Sequence, residues 1–528
     1  MKNCILTSIA LSLIAILVSP AVAQVKAIEV TGGLVSGLPG NDPSIVAYKG
    51  IPFAAPPVGN LRWRAPQPVT AWPGVLKADK FSASCIQQIV PEFGPWTYEF
   101  MAHNDVSEDC LYLNVFTPAK SASEKHPVFV HIYGGGFVQG SSAVPIYDGE
   151  GLAKKGLVVV TFNYRVGALG FLAHPELTSE SGHQASGNYG LMDQIAALRW
   201  VHENIARFGG DPNNVTIAGQ SAGSMAVHDL TASPLARGLF HRAIAQSGGS
   251  TVGGIGINME PTPLAAAEAE GLKFAEAKDA HSLAELRALS WQKILEPIPS
   301  STPMSGLRFG PVVDGYVLPA SFMQIIAQGK QNDVETLTGN TEGELGGLFA
   351  SGAPITAKQF QDQARKRYGD KADEFLKLYP AATDEQAQIA QRESTRDQAL
   401  VALYLWAKVR SKTAKTKVYE YLWDHPLPGP DAVKYGAFHS SEIPYVLNTL
   451  DNSNRPFTEA DRKIAAMMSS YWANFASTGN PNGSGLPVWP AISDKPEIME
   501  VGDKTQPIPL AATPAKIEFF KSFLTQSK

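Results

Sequence analysis

The chain has 528 residues, 44% hydrophobic and 18% charged, with a formal net charge of −5. That is enough chain for a large buried core, and the composition is that of a globular protein rather than a fibrous or disordered one. So mild an acidity excludes the basic surface that non-specific nucleic-acid binding needs.

Met1–Ala23 reads as a secretory leader. Lys2 supplies the positive start, Ile5 to Val18 a mostly apolar stretch, and Ala21–Val22–Ala23 an A-x-A cleavage site before Gln24. The apolar stretch is short for a membrane span, which needs about 20 residues, so no stable membrane insertion is expected. Export to the periplasm or the medium is. Cys4 leaves with the leader. Cys85 and Cys110 remain, and an even pair in an exported chain reads as a disulfide.

In chain order, Ala27–Ser36 reads as a strand or hairpin, and the prolines of Gly50–Pro57 impose an extended segment. The loop from Cys85 to Cys110 carries Phe93, Trp96, Tyr98 and Phe100. These rings are expected to pack the loop down rather than line a binding-site mouth. Leu111–Phe116 reads as a strand. Pro127–Tyr133 and Leu157–Asn163 are short apolar runs of the kind found in strands buried on both faces. Leu191, Ile195, Leu198, Val201 and Ile205 recur at helical spacing. Val215–Gln220 and Ala243–Ala245 are the next strands. Helices are expected from about Glu260 to Leu295, over Gln359–Leu378, over Arg392–Arg410 and over Asp461–Ala476. Arg308–Leu318, with a turn at Asp314–Gly315, Leu337–Thr338 and Val418–Trp423 read as strand-like. Such alternation implies an α/β protein with a mostly parallel sheet and helices on both faces. With no repeat or low-complexity linker, one domain over residues 24–528 is the simplest organisation.

The chemistry centres on Gly219–Gln220–Ser221–Ala222–Gly223, which follows an apolar β-prone run. A G-x-S-x-G between strand and helix is the context of a nucleophile elbow, where glycines two residues either side of the serine relieve a backbone collision. Alone it also fits an ordinary glycine-rich turn. A serine nucleophile needs an imidazole base, an acid to hold that imidazole, and donors for the oxyanion. In α/β-hydrolases these follow in the order serine, acid, histidine. Of eleven histidines, His425 and His439 lie beyond Ser221 with room for an acid and its strand between. His439, in a loop with small neighbours, is preferred. Glu344 stands just past a strand-like segment, with Glu342, Asp314 and Asp424 as rivals. Gly134–Gly135–Gly136, directly after a buried strand, suits an oxyanion loop, and the Ala222 N–H adds the elbow's own donor. No H-E-x-x-H, paired C-x-x-C, P-loop or G-x-G-x-x-G is present, so no metal or cofactor is implied.

Three stretches are specific enough to carry a family resemblance. They are Ser107–Glu108–Asp109–Cys110–Leu111–Tyr112–Leu113–Asn114, Gly187–Asn188–Tyr189–Gly190–Leu191–Met192–Asp193–Gln194, and Phe208–Gly209–Gly210–Asp211–Pro212 leading into the Ser221 elbow. With them the chain resembles the type-B carboxylesterases, the cholinesterase-like branch of the α/β-hydrolases, and among these the bacterial para-nitrobenzyl-esterase-like members. The resemblance implies an α/β-hydrolase fold with helical excursions around an active-site gorge. It implies a carboxylic ester hydrolase with a small-molecule ester substrate. It matches Ser221 to the nucleophile, Gly135, Gly136 and Ala222 to the oxyanion donors, His439 to the base, and Cys85 and Cys110 to the family's first disulfide. Ser247 is similar to a serine that supports the acid, and Glu344 falls where the family's acid lies, five residues after Gly339. The chain departs from the family at Asn340, Gly343 and Leu345 around that acid, and at Gln220, where the family usually has Glu. The same machinery would also serve amides, carbamates or a multi-ester natural product. A catalytically silent binding module is the reading the intact serine, histidine and glycines oppose.

Overall fold

A computed structural model of the chain describes residues 27–248, 261–298, 306–344 and 354–526. The expected leader, Met1–Ala23, and Leu345 lie outside the described residues. The frame is an eleven-stranded sheet. In chain order its strands are β1 (Leu38–Pro39), β2 (Val46–Pro52), β3 (Tyr112–Thr117), β4 (His126–Ile132), β5 (Val158–Phe162), β6 (Gly210–Gln220), β7 (Arg242–Gln246), β8 (Glu335–Thr341), β9 (Val418–Trp423), β10 (Glu497–Val501) and β11 (Gln506–Pro509). Across the sheet they run β11-β10-β9-β8-β7-β6-β4-β5-β3-β2-β1. The block from β5 to β10 is parallel, and antiparallel pairs close both ends. The α/β-hydrolase architecture expected from the sequence is present.

Residue type explains the placement. Val128, Phe129, Val130 and Ile132 of β4 and Val158–Phe162 of β5 are buried on both faces. Only strands flanked by helices on both sides can be so uniformly apolar. The helix α1 (Tyr189–Asn204) buries Leu191, Ile195, Leu198 and Val201 at helical spacing. The helix α2 (Ala222–Ala232) leaves the end of β6 directly. The helix α3 (Asp384–Arg410) starts one full turn and more before the expected Arg392, because Thr383 caps it by accepting from Gln386 N. The helix α4 (Glu459–Thr478) opens with a Thr458/Asp461 capping box and stops at Gly479 in the left-handed region.

One expected strand is shorter than its run, and one edge pair was not expected at all. The Arg308–Leu318 run contains only a two-residue strand, Val312–Val313; the expected turn at Asp314–Gly315 follows it, with the Asp314 carboxylate accepting from Tyr316 N and Leu318 N. The edge pair β10/β11 carries prolines and alternates weakly, so its sequence gives little strand signal. Among the described residues no helix is long and apolar enough to cross a membrane.

Topology places the chemistry. Neighbours β4 and β6 send their chains away in opposite directions across the sheet, and ligands of open α/β sheets bind outside the carboxyl ends at such a switch point. β4 ends at Ile132, just before the three glycines, and β6 ends at Gln220, just before Ser221.

Candidate active site

Ser221 holds φ +60° and ψ −125°, a backbone that a serine adopts only under constraint. The constraint is mutual approach of strand and helix. A Cβ on Gly219 would lie 2.4 Å from Gly223 C, and one on Gly223 would lie 2.1 Å from Ile132 O. Ser221 N donates to Gln246 O at 2.9 Å, and Ser221 O accepts the first α2 bond from Met225 N. Ala222 N–H is among the first-turn amides that lack an intrahelical partner.

The glycine loop lies against this elbow. A side chain on Gly134 would meet Gln220 O at 2.6 Å and Ser221 Cβ at 3.0 Å. Gly135 and Gly136 hold φ +106° and +66°, and a Cβ on Gly135 would strike Gln139 O at 2.2 Å. No other residue type fits that bend. Phe137 O accepts from Gly167 N at 2.6 Å, and the Phe137 ring packs edge-on against Phe171 at 5.2 Å.

His439 and Glu344 are brought together. His439 Nδ1 is 2.5 Å from Glu344 Oε2, and Glu344 Oε1 accepts from Thr341 N at 2.8 Å. An ionised carboxylate can only accept, so Nδ1 carries the proton and Nε2 the lone pair. That lone pair faces Gln220, whose Nε2 stands 3.2 Å away and donates to it. Among the described residues no hydrogen bond joins His439 to Ser221 Oγ; the residue next to the serine in sequence occupies that place.

The electrostatics follow from burial. Burial pulls the His439 imidazole down, but the charge and hydrogen bond of Glu344 outweigh it and hold the ring above its ordinary value. Burial pushes Glu344 up, and His439, Ser247 and Thr341 N together hold it below the usual carboxylate range. The Ser247 hydroxyl lies between two carboxyls, bonded toward Glu344 and 3.5 Å from Glu442 Oε1. Glu442 is fully buried. It is pushed up to about 7, first by burial and then by the charge of Glu344, and its Oε2 has no hydrogen-bond partner among the described residues.

The rivals sit elsewhere. Glu342 is half exposed and pairs with Arg396 at 3.4 Å. His425 is held between Asp503 at 2.6 Å and Asp461 at 2.9 Å. Asp314 is spent on its own turn, and Asp424 accepts from Asp503 N. Cys85 and Cys110 are bonded, with Cα atoms 5.0 Å apart. Of the loop rings, Trp96 and Phe100 pack on Phe438, each at 5.9 Å, whereas Phe93 and Tyr98 are about half exposed. Sequence reasoning gave no contact to Gln220 and did not single out Glu442. Their signals were adjacency to the serine and a position three residues past the histidine.

A strained serine on a strand–helix elbow under a parallel sheet, beside a glycine loop and a carboxylate-held imidazole, defines the class: a serine hydrolase of α/β-hydrolase fold. Residues 24–520 match the Carboxylesterase family, and the chain belongs to it. It is 38% identical over 487 residues to fumonisin B1 esterase of Sphingopyxis macrogoltabida, covering 89% of this chain and 85% of that protein. It is 34% identical over 470 residues to para-nitrobenzyl esterase of Bacillus subtilis (strain 168), covering 85% and 89%. It is 32% identical over 523 residues to human cocaine esterase, covering 94% and 90%. The protein is a carboxylesterase that hydrolyses esters.

Proposed function

We propose that ester hydrolysis proceeds through an acyl-enzyme on Ser221, with His439 as base and Glu344 as the acid that orients it. His439 Nε2 exchanges its Gln220 partner for Ser221 Oγ, a small movement of the kind that completes catalytic hydrogen bonds when substrate binds. Nε2 takes the Oγ proton as Oγ attacks the ester carbonyl. The N–H groups of Gly135, Gly136 and Ala222 hold the tetrahedral oxyanion. Alcohol departs with the proton from His439, and water repeats the cycle on the acyl-enzyme. Ser247 steadies the Glu344 carboxylate. The observation that carries this reading is the His439–Glu344 pair, with the unprotonated ring nitrogen turned to the residue beside Ser221.

The working unit is one α/β-hydrolase domain over residues 24–528, exported after a cut behind Ala23; N-terminal sequencing of the exported protein should begin at Gln24. The substrate is a small-molecule ester, and the esters named by the relatives (fumonisin B1, a para-nitrobenzyl ester and cocaine) form the first panel. The deciding experiment compares hydrolysis of a short p-nitrophenyl ester by the wild type and Ser221→Ala, with labelling of Ser221 by an organophosphonate. Turnover in the variant equal to wild type, or an unlabelled serine, would end the proposal.

A further inference from the structure

Gln87 stands two residues past Cys85 and is buried to 4% exposure. Its side chain crosses to the far end of the glycine loop. Gln87 Nε2 donates to Gly140 O at 2.7 Å and to Cys85 O at 3.0 Å, while Gln87 Oε1 accepts from Gly140 N at 2.7 Å. Both N–H groups and the oxygen are engaged. Turning the amide over would set oxygen against oxygen at two contacts, so only this orientation fits.

Gly140 is the foot of the loop that begins at Gly134. The loop returns on itself: Gly135 O accepts from Val138 N and from Gln139 N, each at 3.1 Å. The two ends then touch, because a Cβ on Gly140 would come within 2.3 Å of the Tyr133 ring and 2.7 Å of Gly134 O. A double hydrogen bond to Gly140 therefore fixes the bend in which Gly135 and Gly136 sit. On the other side, Gln87 is seated by the backbone of Cys85, which the bridge to Cys110 anchors beside β3.

We infer that Gln87 is a positioning residue for ester hydrolysis: its carboxamide, seated by the Cys85–Cys110 bridge, holds closed the Gly134–Gly140 loop that carries two of the oxyanion amides. The inference rests on the acyl-enzyme reading above. Gln87 touches no reacting atom. It acts through Gly140, and its effect belongs to the transition state, in which the oxyanion amides are loaded, rather than to substrate capture.

The test is Gln87→Met, which keeps length and burial and removes every hydrogen bond, beside Gln87→Glu, which keeps the shape and turns a carboxylate oxygen toward two carbonyls. Both should lower kcat by about 10- to 100-fold, the cost of displacing catalytic groups by about an ångström, with KM little changed. A trifluoromethyl ketone, which captures Ser221 as a tetrahedral oxyanion, should bind weaker by the same factor. Backbone amide exchange across residues 134–140 should speed up. A role confined to stability would lower the melting temperature and leave kcat and ketone affinity in place, and that result overturns the inference. So does a rise in KM at unchanged kcat. If Gln87→Met does not fold, Gln87→Asn, which keeps the carboxamide one methylene too short to reach Gly140, is read the same way. Phosphonate labelling of Ser221 in the wild type separates the two claims: an unlabelled serine removes the acyl-enzyme reading itself, whereas a labelled serine with unaltered Gln87 variants removes only this one.

Discussion

Gln220→Glu should move the acid limb of kcat/KM to higher pH. In the wild type, Gln220 Nε2 donates to the lone pair of His439 Nε2 from 3.2 Å, which favours the neutral ring. A glutamate of the same length replaces that donor by a negative oxygen, which favours the imidazolium. At about 4 Å between charges and an effective dielectric near 20, the attraction is about 4 kcal/mol. At about 1.4 kcal/mol per unit, that is about three pKa units. Part is lost to burial of the new carboxylate and to repulsion from Glu344 and Glu442, so an upward shift of about 1 to 2 units is expected, inside the usual range for a close ion pair. In the proposed mechanism His439 works as base only when neutral, so activity falls as pH drops through its value. Raising that value further removes activity on the acid side of the profile and spares it on the alkaline plateau. The assay is kcat/KM for a neutral p-nitrophenyl ester from pH 5 to 9.5, which reports the free enzyme. An acid limb that coincides with wild type would refute the reasoning, because it would mean that His439 does not sense residue 220.

The acid assignment predicts that Glu344→Gln lowers kcat by about 10⁴-fold, as expected when an imidazole loses its orienting carboxylate, whereas Glu342→Gln stays near wild type; a reversed ranking in the same assay would transfer the role. Glu442 should cost stability in alkali. A carboxyl held at about 7 when folded, against 4.5 unfolded, stabilises the fold fully below about pH 4.5, and that stability is lost as pH rises through 7. Glu442→Gln should therefore raise the melting temperature over wild type at pH 8.5, by the equivalent of roughly 3 kcal/mol, and gain nothing at pH 4.5; a difference that does not grow with pH contradicts it. Gly223→Ala should lower unfolding stability by about 1 to 3 kcal/mol, because its methyl meets the backbone oxygen of Ile132 and neither side can yield cheaply; a denaturant midpoint equal to wild type would show that the elbow is slacker than its geometry.

What was legible in the sequence is what short-range pattern encodes. Val128–Val130 of β4 form an apolar run, Val215–Ala218 of β6 form a short β-prone one, and the elbow needs glycines at two fixed offsets, so strand, turn and helix could be read from nine consecutive residues. The order rule reduced eleven histidines to two. Partners that meet only through tertiary structure left almost no trace. Gln87 lies 53 positions from Gly140, and Gln220 lies 219 from His439. A glutamine at either place has no periodicity and belongs to no local turn. The Val312–Val313 strand shows the converse: the Asp314–Gly315 turn was legible in its own few residues, whereas how little strand pairs before it was not.

The buried carboxyls behind His439 give these residues a common logic. Glu344 and Glu442 both act on the His439 ring, yet the proposed base, which must be neutral at work, is poorly served by two full negative charges. Burial and the neighbouring Glu344 push Glu442 up to about 7, so on the acid side of neutrality it is mostly protonated and Glu344 is the principal charge on the imidazole. A third carboxylate at position 220 would upset that balance from the opposite face of the ring. The uncharged amide there lifts no proton affinity and still holds Nε2 in place while the site is empty. Gln220 and protonated Glu442 thus limit from two sides how far Glu344 can raise its partner, so that one carboxylate orients the base without pinning its proton.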